Sequence, residues 1–257
     1  MMIDTHAHLY DEAFADDLEA CINRAKASGV GKIFLPAIDL PSVAEVLRLS
    51  QIYKGYCYPM IGLQPEEVHA DYAEVLSKME EILERESFIG IGEVGLDFYW
   101  TREFEKEQLV AFERQVEWAV QYQLPLMIHC RRAQNELLHI LKPYQKELVG
   151  GVFHCFTGNP HEAEHYLEMD KFCLGIGGVS TFKSSHLRTD LPQSVPLERI
   201  VLETDSPYLA PTPYRGKRNE SSYVLEVCRC LAESYDRTIE EVAKITTDNA
   251  LRVFPLA

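Results

Sequence analysis

Near its start the chain reads Asp4-Thr5-His6-Ala7-His8. Side chains two residues apart on an extended segment share a face. His6 and His8 therefore project together and offer two imidazole nitrogens to one metal ion. Four more residues of ligand type, Glu93, His129, His154 and Asp205, each sit at the end of a short apolar run. One histidine at a buried strand end is usually a satisfied core residue. Four histidines and two carboxylates on one rim do not fit that account, because unpaired polar groups there are costly. Mixed nitrogen and oxygen donors suit zinc, manganese or other borderline divalent ions. Six donors exceed one tetrahedral site and suffice for two ions, with Glu93 able to bridge them. Two ions about 3.5–4 Å apart favour hydrolysis of phosphate esters and related bonds.

The segments that must position these residues alternate in type. Eight short apolar runs read as strands: Ile3 to Thr5, Lys32 to Leu35, Tyr56 to Ile61, Phe88 to Ile91, Leu124 to Ile128, Gly151 to Phe153, Phe172 to Gly175 and Ile200 to Leu202. Helical patterns run from Asp11 to Ser28, Pro41 to Tyr53, Asp71 to Arg85, Arg102 to Tyr122, Ala133 to Leu141, Pro160 to Met169, Ser222 to Tyr235 and Thr238 to Phe254. Continuous apolar strands are those buried on both faces. An open doubly wound sheet keeps its site at one switch point. Here the polar candidates follow strands one, four, five, six and eight, which only a closed barrel gathers round one centre. The expectation is an α/β fold, a single (β/α)8 TIM-type barrel over residues 1–257 without an internal linker. The length of 257 residues fits, since such barrels need about 250.

The formal net charge of −15 argues against broad attraction to nucleic acid or anionic membrane. A phosphate substrate can still be held by a local cationic site or a bound ion. No apolar run is long enough to span a membrane, and no secretory signal pattern precedes the first strand. Seven cysteines read as reduced thiols of a cytoplasmic protein.

Several stretches, taken in order, resemble the TatD family of metal-dependent deoxyribonucleases among the amidohydrolase-like barrels. They are Asp4-Thr5-His6-Ala7-His8, Gly92-Glu93-Val94-Gly95-Leu96-Asp97, Ile128-His129-Cys130-Arg131, Phe153-His154-Cys155-Phe156-Thr157-Gly158, Leu202 to Leu209 and Gly216-Lys217-Arg218-Asn219-Glu220. The resemblance implies one metal on His6, His8, Glu93 and Asp205, and another on Glu93, His129 and His154, the ions being zinc, magnesium or manganese. It makes Asp205 the base for the attacking water and Glu93 the bridging catalytic carboxylate. DNA ends or short single strands are the implied substrate, with no membrane and no obligate protein partner. The alternative on the same two-metal site is a hydrolase of small amides, lactones or phosphate esters. A non-enzymatic binder would not need the water-activating carboxylate.

Two stretches depart from the family pattern. Gly62-Leu63-Gln64-Pro65-Glu66 has an amide and a carboxylate where relatives commonly carry two histidines, and Arg132 stands in place of an acid. Arg131, Lys217 and Arg218 are the cations for a scissile phosphate, although Lys217 and Arg218 fit ordinary solvated charge equally well. Glu203 shares the strand face of Asp205 and is either an outer support of the site or a polar residue of the barrel interior. Tyr99, Trp100 and Phe182 lie on the same rim, where an aromatic can stack on a base, but packing beneath a loop is the expected role.

Overall fold

The computed structural model describes residues 1–256. Its strands are β1 (Met2–Asp4), β2 (Val30–Pro36), β3 (Cys57–Met60), β4 (Ile91–Asp97), β5 (Leu126–Arg131), β6 (Gly151–Phe153), β7 (Phe172–Ile176) and β8 (Ile200–Leu202). They pair in parallel and in chain order as two arcs, β1 to β3 and β4 to β8. Backbone bonds close both gaps. Gly92 N donates to Ile61 O at 2.8 Å, and Thr5 N and His8 N donate to Leu202 O (3.0 Å) and Ser206 O (2.8 Å). The result is the expected eight-stranded (β/α)8 barrel.

The helices are α1 (Leu18–Ala27), α2 (Leu40–Ile52), α3 (Tyr72–Leu83), α4 (Glu105–Tyr122), α5 (Gln134–Leu141), α6 (Pro160–Leu167), α7 (Leu187–Ser194), α8 (Val224–Tyr235) and α9 (Ile239–Val253). Asp39, Asn159 and Thr238 start α2, α6 and α9 with reciprocal capping boxes that satisfy otherwise orphaned amide protons. None of the helices described is long and apolar enough to cross a membrane.

Inside the barrel, Ile3, Phe34, Met60, Met127, Val152, Cys173 and Val201 pack with Ala250, Val253 and Phe254 of α9. On their strands, Ile3, Met127, Val152 and Val201 precede His6, His129, His154 and Asp205. This apolar layer therefore lies beneath the polar rim and closes the barrel floor with the last helix. A larger shell packs the outer strand faces against the helices, with Phe112, Val116 and Trp118 of α4 fully buried.

Three elements depart most from the sequence expectation. The helix expected from Asp11 is a short 3-10 turn (Glu12–Phe14) followed by α1 from Leu18; Asp11 caps only the turn. The α7 helix was not expected, since Pro192 within it interrupts the helical pattern. Strand β4 begins at Ile91 and runs to Asp97, so Glu93 lies inside it. The ladder to β5 continues through Val94–Ile128 and Gly95–His129. A Cβ at Gly95, which has φ 141°, would run into the carbonyl oxygen of His129, so only glycine allows that pairing.

Candidate metal centre

His6 and His8 follow β1, Glu93 lies on β4, His129 on β5, and His154 and Asp205 follow β6 and β8. All six meet at the C-terminal mouth of the barrel. The Glu93 carboxylate stands between two groups of donors. Its Oε2 is 3.2 Å from His6 Nε2 and 3.6 Å from His8 Nε2. Its Oε1 is 3.1 Å from both His129 Nδ1 and His154 Nε2. Asp205 Oδ1 completes the first group, 3.4 Å from His8 Nε2 and 3.7 Å from His6 Nε2. Within the groups, His6 Nε2 lies 3.2 Å from His8 Nε2, and His129 Nδ1 lies 3.3 Å from His154 Nε2.

These spacings fit divalent ions. Donors about 2.1 Å from one ion, at tetrahedral to octahedral angles, lie roughly 3.0–3.4 Å apart. The tautomers fit as well. Tyr10 Oη donates its one proton to Pro36 O at 2.9 Å, so at 2.8 Å it must accept from His8 Nδ1. That leaves the His8 Nε2 lone pair facing Glu93. Asp97 Oδ2 lies 2.9 Å from His129 Nε2; a carboxylate accepts, so His129 carries its proton there and turns the Nδ1 lone pair inward. Such outer partners orient ligands and raise their basicity.

Charge and burial act together here. Burial would lower the His129 pKa, but the bonds to Asp97 and Glu93 outweigh it and raise the group to about 9, so an ion binding at Nδ1 must displace a proton there. Burial would likewise raise Glu93, yet the histidines around it hold the carboxyl well below its ordinary value. Asp205 is also depressed: its burial is outweighed by His8 and the neighbouring imidazoles. The carboxylates are thus held ionised against their burial.

Glu203 is fully buried. Its Oε1 accepts from Cys155 N and stands 3.7 Å from His154 Nδ1, while Oε2 has no protein partner. A Cβ at Gly175 would overlap Oε2, so glycine there makes room for this carboxylate. Glu203 thus lies beside His154, beyond hydrogen-bond distance of it.

A cavity of about 710 Å³ opens over the cluster, walled in part by Tyr10, Trp100, Arg131, Cys155 and Tyr208. Arg131 lines it; Lys217 and Arg218 do not. The Arg218 guanidinium is engaged elsewhere, with Asp17 Oδ1 at 2.6 Å, Asp17 Oδ2 at 2.9 Å and Ala13 O at 2.6 Å. Lys217 is solvent-exposed. Gln64 and Glu66 do face the cavity, whereas His69 is exposed, with its ring against Phe104. Tyr99 and Trp100 were expected beneath a loop; they are 40% and 64% exposed. Phe182 is half-buried, with the Arg215 guanidinium 3.9 Å above its ring.

Asp97 and Tyr10 were not singled out from the sequence. Asp97 stands four residues after Glu93 on one strand, an even spacing that places both on one face. No local pattern points to Tyr10, because its second partner, Pro36, comes from β2.

The TatD related DNase family model matches residues 3–255. The metal-dependent hydrolase YabD of Bacillus subtilis is 39% identical, the alignment covering 99% of each chain. The 3'-5' ssDNA/RNA exonuclease TatD of a Pantoea species is 32% identical over the whole of both chains. The crystal structure of the TatD homologue YJJV from Escherichia coli superposes with a TM-score of 0.90 at 32% identity, covering 100% of this chain and 98% of that one. The match along nearly the whole length, on a barrel whose mouth carries this donor cluster, means that the chain belongs to the TatD related DNase family.

Proposed function

We propose that the protein, acting as one barrel domain, is a metal-dependent hydrolase that removes nucleotides from the end of single-stranded DNA or RNA, as the names of its relatives indicate for them. One observation carries this reading: the two Glu93 oxygens face two separate donor groups, His6 and His8 on one side and His129 and His154 on the other. In the proposal His6, His8, Glu93 and Asp205 hold one divalent ion, and Glu93, His129 and His154 hold a second, with zinc, magnesium or manganese as the candidates. Bound divalent ions polarise a phosphoryl oxygen and make hydroxide available near neutral pH.

The chain's own groups do the rest. Asp205 turns Oδ1 to the histidines and leaves Oδ2 to take the proton of the attacking water. Arg131 meets the phosphoryl oxygens from the cavity wall, where a fixed guanidinium stabilises developing negative charge. Tyr10 and Asp97 keep His8 and His129 in the ligating tautomer, and Glu203 steadies His154. The seven free cysteines support a cytoplasmic setting.

The test offers metal-stripped protein a labelled single-stranded oligonucleotide and a panel of amides and lactones, with magnesium, manganese or zinc restored in turn. Expected are end-on shortening of the oligonucleotide only with metal, about two ions per chain, and a 10²–10⁴-fold loss in Asp205→Asn, the usual contribution of a general base. Hydrolysis confined to amides or lactones would overturn the nucleic-acid reading. One ion per chain at full activity would overturn the two-ion site.

A further inference from the structure

Among the described residues, eight large apolar side chains are exposed, and four of them, Tyr99, Trp100, Tyr208 and Leu209, belong to loops at the barrel mouth. Scattered exposed apolar residues need no explanation, but a group of them beside a polar site marks a contact surface. Trp100 is the most open of the four, at 64%, and it lines the metal-centre cavity. It is also braced. The Tyr99 ring meets it edge-on, with centroids 4.8 Å apart. The Arg131 guanidinium lies 3.6 Å from the Tyr99 centroid and 5.0 Å from that of Trp100, and Arg132 lies 4.8 Å from Tyr99.

Charge around the mouth is uneven. The loops after β1 and β3 place Asp11, Glu66 and Glu67 in the cavity wall. The neighbouring strands β4 and β5 place Trp100 in the loop after β4, Arg131 at the end of β5 and Arg132 just after it. Arg131 is the one arginine or lysine among the described residues that wall the cavity, so a polyanion leaving the metal centre over that second arc meets favourable charge.

We infer that Trp100 is a stacking platform for a nucleobase of a single-stranded substrate, with Arg131 and Arg132 beside it for the strand's phosphates. This rests on the phosphodiesterase reading above. It gives a physical reason for a single-stranded substrate: a base must be unpaired to lie on the indole, so a fully paired end binds poorly until it frays. Stacking on an aromatic side chain tolerates any base, which suits an enzyme that shortens strands of arbitrary sequence.

The chain has two tryptophans, and Trp118 is fully buried, so a change in indole emission on adding a strand reports Trp100. The probe is the octamer of thymidylate, added to metal-stripped protein for fluorescence and to metal-loaded protein for kinetics. A dinucleotide of abasic tetrahydrofuran residues serves as a small diester without an aromatic ring. Expected are quenching in the wild type and in Trp118→Phe but not in Trp100→Ala. Trp100→Ala should raise KM for the octamer about 5- to 100-fold, the range stacking gives, with kcat on the small diester unchanged and Trp100→Phe recovering part of the loss. Quenching that persists in Trp100→Ala, or equal KM for the octamer in wild type and Trp100→Ala, overturns the platform. A wild type that cleaves the small diester yet neither binds nor cleaves the octamer also overturns it and leaves the hydrolase reading standing. Failure to cleave either phosphodiester defeats the function proposal instead, and the quenching comparison still decides whether Trp100 receives a base.

Discussion

Asp97 Oδ2 lies 2.9 Å from His129 Nε2, and Asp97 Oδ1 accepts the backbone N–H of Tyr99 at 2.8 Å. One buried carboxylate thus sets the tautomer of His129, a proposed metal ligand, and anchors the start of the loop that carries Trp100. Asp97→Ala should weaken metal binding about 10- to 100-fold, as loss of such outer partners typically does. Asp97→Asn, whose amide oxygen can still accept from His129, should lose less. Titrating activity against free metal in the two variants checks this; equal affinity in Asp97→Ala and wild type would show that His129 needs no orienting partner.

Asn219 performs a similar service for Asp205. Its Nδ2 donates to Thr204 O at 2.8 Å and Tyr208 O at 2.6 Å, spanning the turn in which Asp205 adopts φ 57°. Asn219→Ala leaves two carbonyls unpaired at a fully buried position. The expected cost is about 1–3 kcal/mol of stability, read from denaturant midpoints. The accompanying kcat loss should be about 10-fold or more, since small misplacements of reacting groups are expensive.

The two candidate arginines should separate cleanly. Arg131 lines the cavity and Arg218 is tied to Asp17. Arg131→Ala should reduce phosphodiester hydrolysis by about 10²-fold, the scale of one lost oxyanion donor. Arg218→Ala should leave the rate per folded molecule unchanged and cost about 1 kcal/mol of stability, given that its ion pair is partly exposed. A shared loss of rate would return Arg218 to the substrate path.

The metal-binding candidates were legible because each closes an apolar run, and parallel strands around one barrel bring their ends together whatever lies between. The Asp205 turn and the β4 extension were harder to read. Glu93 breaks an apolar run, so strand reading stops there, although Val94 and Leu96 continue the outward apolar face. The two readings of Arg218 stay level in the sequence because residue order does not reveal which carboxylate a guanidinium meets; Asp17 is 201 residues away. Tyr10 and Trp100 depend on loop geometry, which composition does not encode.

Between α1 and the chain returning from the Asp205 loop, a small ion network should make the fold sensitive to acid. Arg24 of α1 meets Glu220 at 2.6 Å, where the chain returns from the Asp205 loop. Glu220 is 4% exposed and also accepts from Ser222. Its burial would raise the pKa, but the bonds to Arg24 and Ser222 outweigh it and hold the group below its ordinary value of 4.5. The sign follows from proton counting. Near and below pH 4.5 the unfolded chain binds this proton more readily than the folded one, so acid favours unfolding. The contribution is fully present above the unfolded value and is lost as pH falls through the folded one. Glu220→Gln should therefore lower stability at pH 7 by about 1 kcal/mol, because Arg24 is itself half-exposed and still meets Asp17. It should also flatten the fall in stability below about pH 4.5. Arg24→Met should destabilise at pH 7 too, and should erase most of the further effect of Glu220→Gln in the double variant. Chemical denaturation of the four proteins at pH 7 and at two values below 4.5 measures this. A Glu220→Gln protein as acid-sensitive as the wild type would place the titrating carboxylate elsewhere.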